Sequence, residues 1–251
     1  MKTTEVFSSK AEKYARYRWD YAPQAIQTIF DRAQLSNQSV VADIGAGTGI
    51  LTRHFVGRVK RVFAVEPNAP MRQMAIRALG AISTCQIVDG CAEATALDDH
   101  SVDLIAVATA IGWFDPQPAK REFLRILKPG GWLAVLHNYS TDQELDAALE
   151  HVFPPESDKT VFKKGQGTPL SFYYGSDSVP KQSFSFTTQR TWEQFIGSLL
   201  SASFVPDETS PFYPDFERAA KEVFDRFSSD GVVVSSAATE LCLGQIVPSS
   251  Q

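Results

Sequence analysis

The sequence has few cysteines and no long apolar run. Its three cysteines, Cys85, Cys91 and Cys242, show no CxxC spacing. An odd number without that spacing predicts neither a disulfide framework nor a zinc site, and free thiols fit a reducing compartment. No apolar run approaches the roughly 20 residues that span a bilayer, and the N-terminal stretch has no signal-peptide core. We therefore expect a soluble cytoplasmic protein that binds no metal and no membrane.

Positive charge is not in excess either. The 24 Lys and Arg residues are interspersed with 29 Asp and Glu residues, which gives a formal net charge of −5. Nucleic-acid binding needs a basic patch, so we expect no nucleic-acid partner. A chain of 251 residues with 43% hydrophobic residues can bury one substantial core. Small neutral or anionic substrates remain open, as does a monomer or a dimer.

Short apolar segments alternate with helical periods along the middle of the chain. A proline suited to a first helical turn opens a predicted helix at 23–33. Further helices are predicted in "TGILTRHFVGRV", "NAPMRQMAIRAL" and "PAKREFLRILKPGG". The apolar runs predict buried strands at Val40–Ile44, Arg61–Val65, Cys85–Val88, Val102–Ala108 and Trp132–Leu136. This order is typical of an α/β fold with a doubly wound, mostly parallel sheet.

The alternation breaks down after residue 138. Prolines, glycines and aromatic residues over 139–182 predict a helical or irregular insertion that covers the sheet. Two further strands are predicted in "SFSFTTQ" and "ATELCLGQIV", with helices in "TWEQFIGSLLSAS" and "DFERAAKEVFDRF". We therefore expect a single domain over 1–251 with a seven-stranded sheet. Its parts are an N-terminal lid or helix (1–39), a ligand-binding core (40–138), a substrate cap (139–182) and a C-terminal part that completes the sheet (183–251).

The stretch "VVADIGAGTGILTRHF" places three glycines, Gly45, Gly47 and Gly49, directly after the first predicted strand. Ligands of open parallel sheets bind at this edge, beyond the carboxyl ends of the strands. A dinucleotide fingerprint needs a third glycine at the position of Ile50, and the GK[ST] ending of a P-loop is absent. The turn therefore predicts a ligand that lacks a pyrophosphate group.

Two carboxylates accompany this turn. Asp43 offers an acceptor for a cationic group at the strand end. Glu66, in "FAVEPN", stands near the end of the second strand, where nucleotide sites place the carboxylate that binds two ribose hydroxyls. The glycine turn with these two groups predicts a nucleoside that carries a positively charged tail.

These segments carry a family resemblance. "VVADIGAGTGILT", "VFAVEPNAPM", "GCAEATALDDHSVDLIAVATAIGWFD" and "EFLRILKPGGWLAV" have the order and spacing of the class I S-adenosylmethionine-dependent methyltransferases, in particular the type 11 methyltransferase domain. "FSSKAEKYARYRWDYAP" and "AIGWFD" are similar to the small-molecule branch that includes trans-aconitate methyltransferases. The resemblance implies a Rossmann-like fold, S-adenosylmethionine as cofactor and in-line methyl transfer to a small molecule. A non-catalytic S-adenosylmethionine-binding protein and a nicotinamide oxidoreductase are the alternatives.

The resemblance also implies a cofactor site. Asp43 and the glycine turn would hold the methionyl part, Glu66 the ribose, Asn68 and the Ala92 N–H the adenine, and Thr109 the methionine tail. Many relatives have an aspartate where this chain has Cys91, so Glu93 or a backbone carbonyl is the alternative partner of the adenine amino group. The cofactor-binding set is Asp43, Gly45, Ala46, Gly47, Gly49, Glu66, Pro67, Asn68, Cys91, Ala92, Glu93 and Thr109.

The expected acceptor pocket is aromatic. The N-terminal aromatic residues form either a lid over the cofactor or a brace on the sheet, and Trp113 and Phe114 follow the fourth strand. The predicted pocket residues are Tyr14, Tyr17, Arg18, Trp19, Trp113 and Phe114. His137, after the fifth strand, is either a general base or a structural histidine. Lys159, Lys163 and Lys164 form either a solvated loop or a clamp for a carboxylate substrate.

Overall fold

The computed structural model describes residues 10–153, 168–176, 180–202, 205 and 208–246. The strands are β1 (Val40–Ile44), β2 (Arg61–Val65), β3 (Cys85–Val88), β4 (Val102–Ala108), β5 (Leu127–Ser140), β6 (Lys181–Thr191), β7 (Ser228–Ser229) and β8 (Val232–Gln245). They form one sheet in the order β3-β2-β1-β4-β5-β8-β6, with β7 paired to β8 outside this path. The first five strands are parallel, and β8 runs antiparallel between β5 and β6.

Helices cover both faces of this sheet. They are α1 (Ala11–Tyr17), α2 (Pro23–Arg32), α3 (Ala69–Leu79), α4 (Pro116–Ile126), α5 (Gln143–Glu150), α6 (Leu170–Tyr174), α7 (Trp192–Leu200) and α8 (Tyr213–Phe227). None of the described helices combines the length and the apolarity that a membrane crossing requires.

Side-chain alternation along β4 divides the core between the two faces. Ile105 and Val107 pack in the cluster that contains Phe123 of α4, whereas Leu104 and Ala106 pack in the cluster that contains Phe30 of α2. Successive strand residues point to opposite faces, so the consecutive apolar residues of β4 contribute to both layers. A third apolar cluster joins α5, α7 and α8.

The sheet reverses its strand order between β1 and β4. β1 pairs with β2 on one side and with β4 on the other. A crevice opens beyond the carboxyl ends of parallel strands at such a point. The turn after β1 and the loop after β4 therefore face the same crevice, which places the candidate site there.

The predicted strands and the mostly parallel sheet are confirmed, with three corrections. The helix predicted in "TGILTRHFVGRV" is wrong, and only a short 3-10 turn, Thr52–His54, forms there. The stretch is rich in β-branched residues, and its Gly57 adopts a left-handed conformation (φ +74°). The sheet also contains the two-residue β7, which is too short to show in a pattern. Finally, β8 begins at Val232 and not at residue 238, because residues 232–237 also pair with β6.

Two predicted regions lie partly outside the described residues. Residues 1–9 belong to the predicted lid, and residues 154–167 and 177–179 belong to the predicted cap. Lys159, Lys163 and Lys164 are among them, so the hypothesis of a lysine clamp stays a prediction.

Candidate active site

The glycine turn is tied to the end of β2. Gly45 and Ala46 donate their backbone N–H groups to the Val65 carbonyl oxygen at 2.9 and 3.1 Å. The N–H of Gly47 donates to Oε2 of Glu66 at 2.8 Å. Gly47 adopts φ +58°, and a Cβ at this position would meet no atom within 4 Å. The turn therefore has an open face of bare backbone, which a ligand can approach closely.

Glu66 is buried at the mouth of this crevice. Its Oε1 accepts from the Asn68 N–H at 2.8 Å, and only 7% of its surface is exposed. Burial raises the pKa of Glu66, while the hydrogen bonds from Asn68 and Gly47 act in the opposite direction. A carboxylate oxygen has two lone pairs, so each oxygen of Glu66 can accept one further hydrogen bond.

Asp43 lies at the end of β1 with 1% of its surface exposed. Its Oδ2 accepts from the Thr52 hydroxyl at 2.6 Å, whereas its buried Oδ1 has no hydrogen-bond partner in the described part of the chain. Burial raises the pKa of Asp43 to about 7, with a smaller contribution from the charge of Glu66. A buried acceptor without a partner costs free energy, which a ligand or water can recover.

A cavity of about 260 Å³ adjoins the turn and Glu66. Of the predicted cofactor-binding set, the residues that line it are Gly45, Gly47, Glu66, Pro67, Asn68, Cys91, Ala92, Glu93 and Thr109. Asp43, Ala46 and Gly49 do not line it. The structure thus brings together residues from the ends of four strands, β1 to β4, at one crevice.

The loop after β3 forms one wall of this smaller cavity. Cys91 and Ala94 form an isolated antiparallel bridge, which fixes the loop. Burial raises the pKa of the Cys91 thiol, so this group is a neutral, weak acceptor at pH 7. Glu93 Oε1 accepts from the Asp115 N–H at 2.7 Å, which ties the loop to the start of α4.

A larger cavity of about 830 Å³ lies beside the smaller one. The predicted pocket residues Tyr14, Tyr17, Arg18, Trp19 and Trp113 line it, as does His137. Phe114 does not: it lines the smaller cavity, and its ring meets Phe123 of the core edge-on, with centroids 6.2 Å apart.

Three residues, Tyr14, Thr109 and Trp113, line both cavities. We call them the neck. Thr109 directly follows β4 and adopts φ +57°, while its N–H donates to the Leu136 carbonyl at 2.9 Å. A positive φ is a strained conformation for a β-branched residue, and such strain persists where the surroundings enforce it, often at functional sites.

His137 lies in β5, opposite Glu240 of β8. His137 is exposed to the larger cavity, where partial desolvation lowers its pKa; the charge of Glu240 opposes this effect and that of Arg18 adds to it. The lowered pKa keeps the imidazole neutral at pH 7, which is the form that can accept a proton.

The N-terminal segment covers the larger cavity. The Tyr17 ring packs so closely on α7 that a Cβ on Gly197 would collide with it. The buried Lys10 ammonium donates to the carbonyl oxygens of Ala202, at 2.6 Å, and Val205, just beyond the end of α7. Segment and helix α7 therefore form one wall.

The end of this segment is tied to the sheet. Asp20 accepts from Arg53 at 2.7 Å and lies 2.6 Å from Nε2 of His54, both of which follow the glycine turn. The Asn138 side chain of β5 donates to the Asp20 carbonyl oxygen at 3.0 Å. These contacts link the roof of the larger cavity to the turn of the smaller one.

Sequence reasoning missed several residues of the larger cavity, above all Arg190, which is buried in its wall. A signal was present, because Phe184, Phe186 and Arg190 share one phase of the two-residue alternation in β6. A cation on the same face as two aromatic residues is unusual for a strand that packs inward.

Comparison with known proteins shows the family of this chain. Residues 42–135 match the family model described as a methyltransferase domain. An uncharacterized methyltransferase-like protein of Schizosaccharomyces pombe is 30% identical over 226 residues, 87% of each chain. A ubiquinone/menaquinone biosynthesis C-methyltransferase of Idiomarina loihiensis is 30% identical over 190 residues, 70% of this chain and 74% of the relative. The chain belongs to the class I S-adenosylmethionine-dependent methyltransferases, as its motifs predict.

Other similarities are partial or concern the fold. An uncharacterized methyltransferase of Mycobacterium tuberculosis is 40% identical over 132 residues, so the match spans 53% of this chain and about half, 51%, of the relative. The structure of a protein described as a type II methyltransferase of Anaeromyxobacter dehalogenans superposes with a TM-score of 0.65 at 20% identity, over 92% of this chain and 99% of that one. The Rossmann-like fold is thus confirmed, whereas the trans-aconitate branch stays a prediction.

Proposed function

We propose that the chain transfers a methyl group from S-adenosylmethionine to a small-molecule acceptor. The observation that carries this proposal is the junction of the two cavities at the neck, Tyr14, Thr109 and Trp113. Nine of the twelve predicted cofactor residues line the smaller cavity, and the larger one has the volume of a typical small-molecule pocket. An acceptor in the larger cavity can therefore reach a cofactor in the smaller one.

The residues of the smaller cavity fit this cofactor. Glu66 has a free lone pair on each oxygen for the two ribose hydroxyls, and the open face of Gly47 admits the methionyl part. Asp43 does not line this cavity, so we assign it no direct contact with the cofactor; its Oδ2 accepts from the Thr52 hydroxyl, just after the turn. When bound, S-adenosylmethionine supplies a methyl group that its sulfonium already activates.

The remaining task of the protein is alignment. Well-oriented groups can lower a barrier by as much as about 7–11 kcal/mol, because they need not be brought together in the reaction. Tyr14 and Trp113 place aromatic rings at the neck, and an aromatic face stabilises a nearby cation by about 0.5–2 kcal/mol. The N-terminal segment covers the larger cavity and would exclude water from the reaction as a lid.

His137 is the candidate general base where the acceptor carries a proton. It lines the larger cavity, and its lowered pKa keeps it neutral at pH 7. A carboxylate acceptor, in contrast, is already a nucleophile and needs no base. The need for His137 therefore depends on the acceptor atom.

Transfer of an isotope-labelled methyl group tests this function. The protein is incubated with methyl-labelled S-adenosylmethionine and a fractionated extract of small metabolites, and mass spectrometry follows both S-adenosylhomocysteine and the label. We expect S-adenosylhomocysteine to form only when an acceptor fraction is present, with the label in a small molecule. Label found only on protein or nucleic acid, or cofactor binding without any transfer, would contradict the proposal.

A further inference from the structure

A buried arginine stands at the far side of the larger cavity. Arg190 lies near the end of β6, lines the cavity and has 7% of its surface exposed. The pairing of β5, β8 and β6 puts Phe186 level with Ser140, the last residue of β5. Arg190 follows Phe186 by four residues. It therefore lies in the part of β6 that extends beyond the end of β5 and forms a wall of the cavity.

The partners of this guanidinium are neutral. One terminal N–H donates to the Ser235 hydroxyl at 2.8 Å and another reaches the Ser198 hydroxyl at 3.5 Å. The rings of Trp19 and Phe195 lie 5.6 and 5.0 Å from its central carbon. The Nε is buried and has no hydrogen-bond partner among the described residues, and in the same residues no carboxylate lies within 4.0 Å.

Arg190 stays charged although it is buried, and within the ranges that the structure describes no carboxylate close to it balances that charge. Desolvation lowers its pKa to about 10, and the more distant Asp142 and Asp146 oppose that shift. The group therefore remains a cation at neutral pH. A buried charge without a close counter-ion is costly, and an anion that enters the cavity removes this cost.

We propose that the methyl acceptor carries a carboxylate group, which the planar fork of Arg190 binds in the larger cavity. This inference rests on the proposed function and specifies its substrate class. Guanidinium N–H groups match the two oxygens of a carboxylate, and such charge-assisted pairs are stronger than neutral hydrogen bonds. Asp146 and Glu150 also line this cavity, so the cavity as a whole is not positively charged. A carboxylate would therefore bind through its direct hydrogen bonds to Arg190.

The sheet order also orients the acceptor. Thr109 of the neck follows β4, whereas Arg190 stands in β6, with β5 and β8 between them. Three strand spacings correspond to roughly 14 Å across the sheet. The anchored carboxylate therefore lies at the opposite end of the larger cavity from the neck, and Arg190 acts as a specificity residue that does not touch the transferred group.

Binding of simple aromatic acids tests the proposal without knowledge of the substrate. Benzoate and phenylacetate are titrated against benzamide and phenylacetamide, their uncharged counterparts, in the presence and in the absence of S-adenosylhomocysteine. The proteins are the wild type, Arg190→Met, Arg190→Lys, and Arg218→Met as a control that removes an exposed arginine of α8. The comparison of acids with amides on the wild type does not depend on whether any variant folds. Arg190→Lys keeps the positive charge but lacks the planar guanidinium group that can bind both carboxylate oxygens.

We expect the wild type to bind the acids about tenfold or more tightly than the amides. This preference should vanish in Arg190→Met, weaken in Arg190→Lys and persist in Arg218→Met. Equal affinity for acids and amides, absence of binding by both acids, or a preference that survives in Arg190→Met would overturn the proposal. Failure of S-adenosylhomocysteine to bind the wild type would instead count against the proposed function, because the acids are also titrated without it.

Discussion

The Gly47 N–H donates to the Glu66 carboxylate at 2.8 Å, so the residue after β2 holds the turn after β1. The same carboxylate also accepts from the Asn68 N–H, at the start of α3. One buried side chain thereby fixes two backbone segments around the smaller cavity and still presents lone pairs to it. Loss of the Glu66 side chain should weaken ligand binding more than it lowers the stability of the fold.

Replacement of Glu66 by Ala should weaken the binding of S-adenosylhomocysteine by about 1–3 kcal/mol, because ribose hydroxyls and two backbone N–H groups lose their acceptor. Glu66→Gln keeps an acceptor oxygen and should cost less. Calorimetric titration measures both affinities. The matched control is Asp215→Ala, which removes an exposed carboxylate of α8. An unchanged affinity in Glu66→Ala would show that Glu66 does not bind the ligand.

At Thr109, substitution by glycine should give a more stable protein than substitution by alanine. At ordinary positions Gly is about 0.5–1 kcal/mol less stable than Ala. At φ +57° the order should reverse, because a side chain in the left-handed region costs about 1–2 kcal/mol. Both Thr109→Gly and Thr109→Ala remove the hydroxyl, so their difference in free energy of unfolding isolates the backbone strain. A Thr109→Ala protein more stable than Thr109→Gly would mean that the residue is unstrained.

Asp43 should make stability depend on pH. An aspartate ionises near pH 4 in the unfolded chain, whereas the folded protein keeps this proton up to a pH of about 7. The folded state thus binds more protons between these values, and stability falls as the pH rises from about 4 to about 7. Asp43→Asn lacks this titration. Urea unfolding at about pH 5 and about pH 8 should show the wild type losing stability relative to Asp43→Asn, and a difference that stays constant would refute the assignment.

The sheet was largely predictable from the sequence, because buried parallel strands are short and mostly apolar. Val40–Ile44 and Val102–Ala108 are examples, and their observed bounds are the predicted ones. β8 shows the limit of this reasoning. The sequence pattern predicted only its second half, although the first half, VVVSSAA, contains three β-branched valines; the pairing with β6, a contact between distant segments, joins both halves into one strand.

The site divides in a similar way. Glu66 and Gly47 follow strands at recognisable positions, so motif spacing identified them as neighbours. Arg190 was not identified, because its role depends on how far β6 extends past β5. The pattern also did not indicate that Asp43 lies behind the cavity wall. The positions of both Arg190 and Asp43 depend on how distant strands pair, which the local sequence does not show.

The N-terminal segment should become more protected when ligand binds, if it is a lid. Tyr14 belongs to the neck, so closure would add contacts only in the liganded state. Hydrogen exchange of residues 11–20 should slow on addition of S-adenosylhomocysteine. Exchange that is equally slow without ligand would identify a brace instead.

A substitution at Gly197 tests independently how the N-terminal segment packs on α7. A methyl group from Gly197→Ala would collide with the Tyr17 ring, so the substitution should loosen α1 and speed its hydrogen exchange. The double variant Tyr17→Ala/Gly197→Ala removes the collision. Relative to Tyr17→Ala alone, its added methyl should be neutral or slightly stabilising, since Ala favours helices over Gly by about 1 kcal/mol. Equal exchange in wild type and Gly197→Ala would show that the contact is unimportant.

The glycine turn and Glu66 should bind S-adenosylmethionine rather than a dinucleotide. Calorimetric titration of the wild-type protein with S-adenosylhomocysteine and, separately, with NAD tests this preference most directly. We expect saturable binding of S-adenosylhomocysteine with one site per chain and no heat of binding with NAD. Tight binding of NAD, with no response to S-adenosylhomocysteine or S-adenosylmethionine, would contradict it.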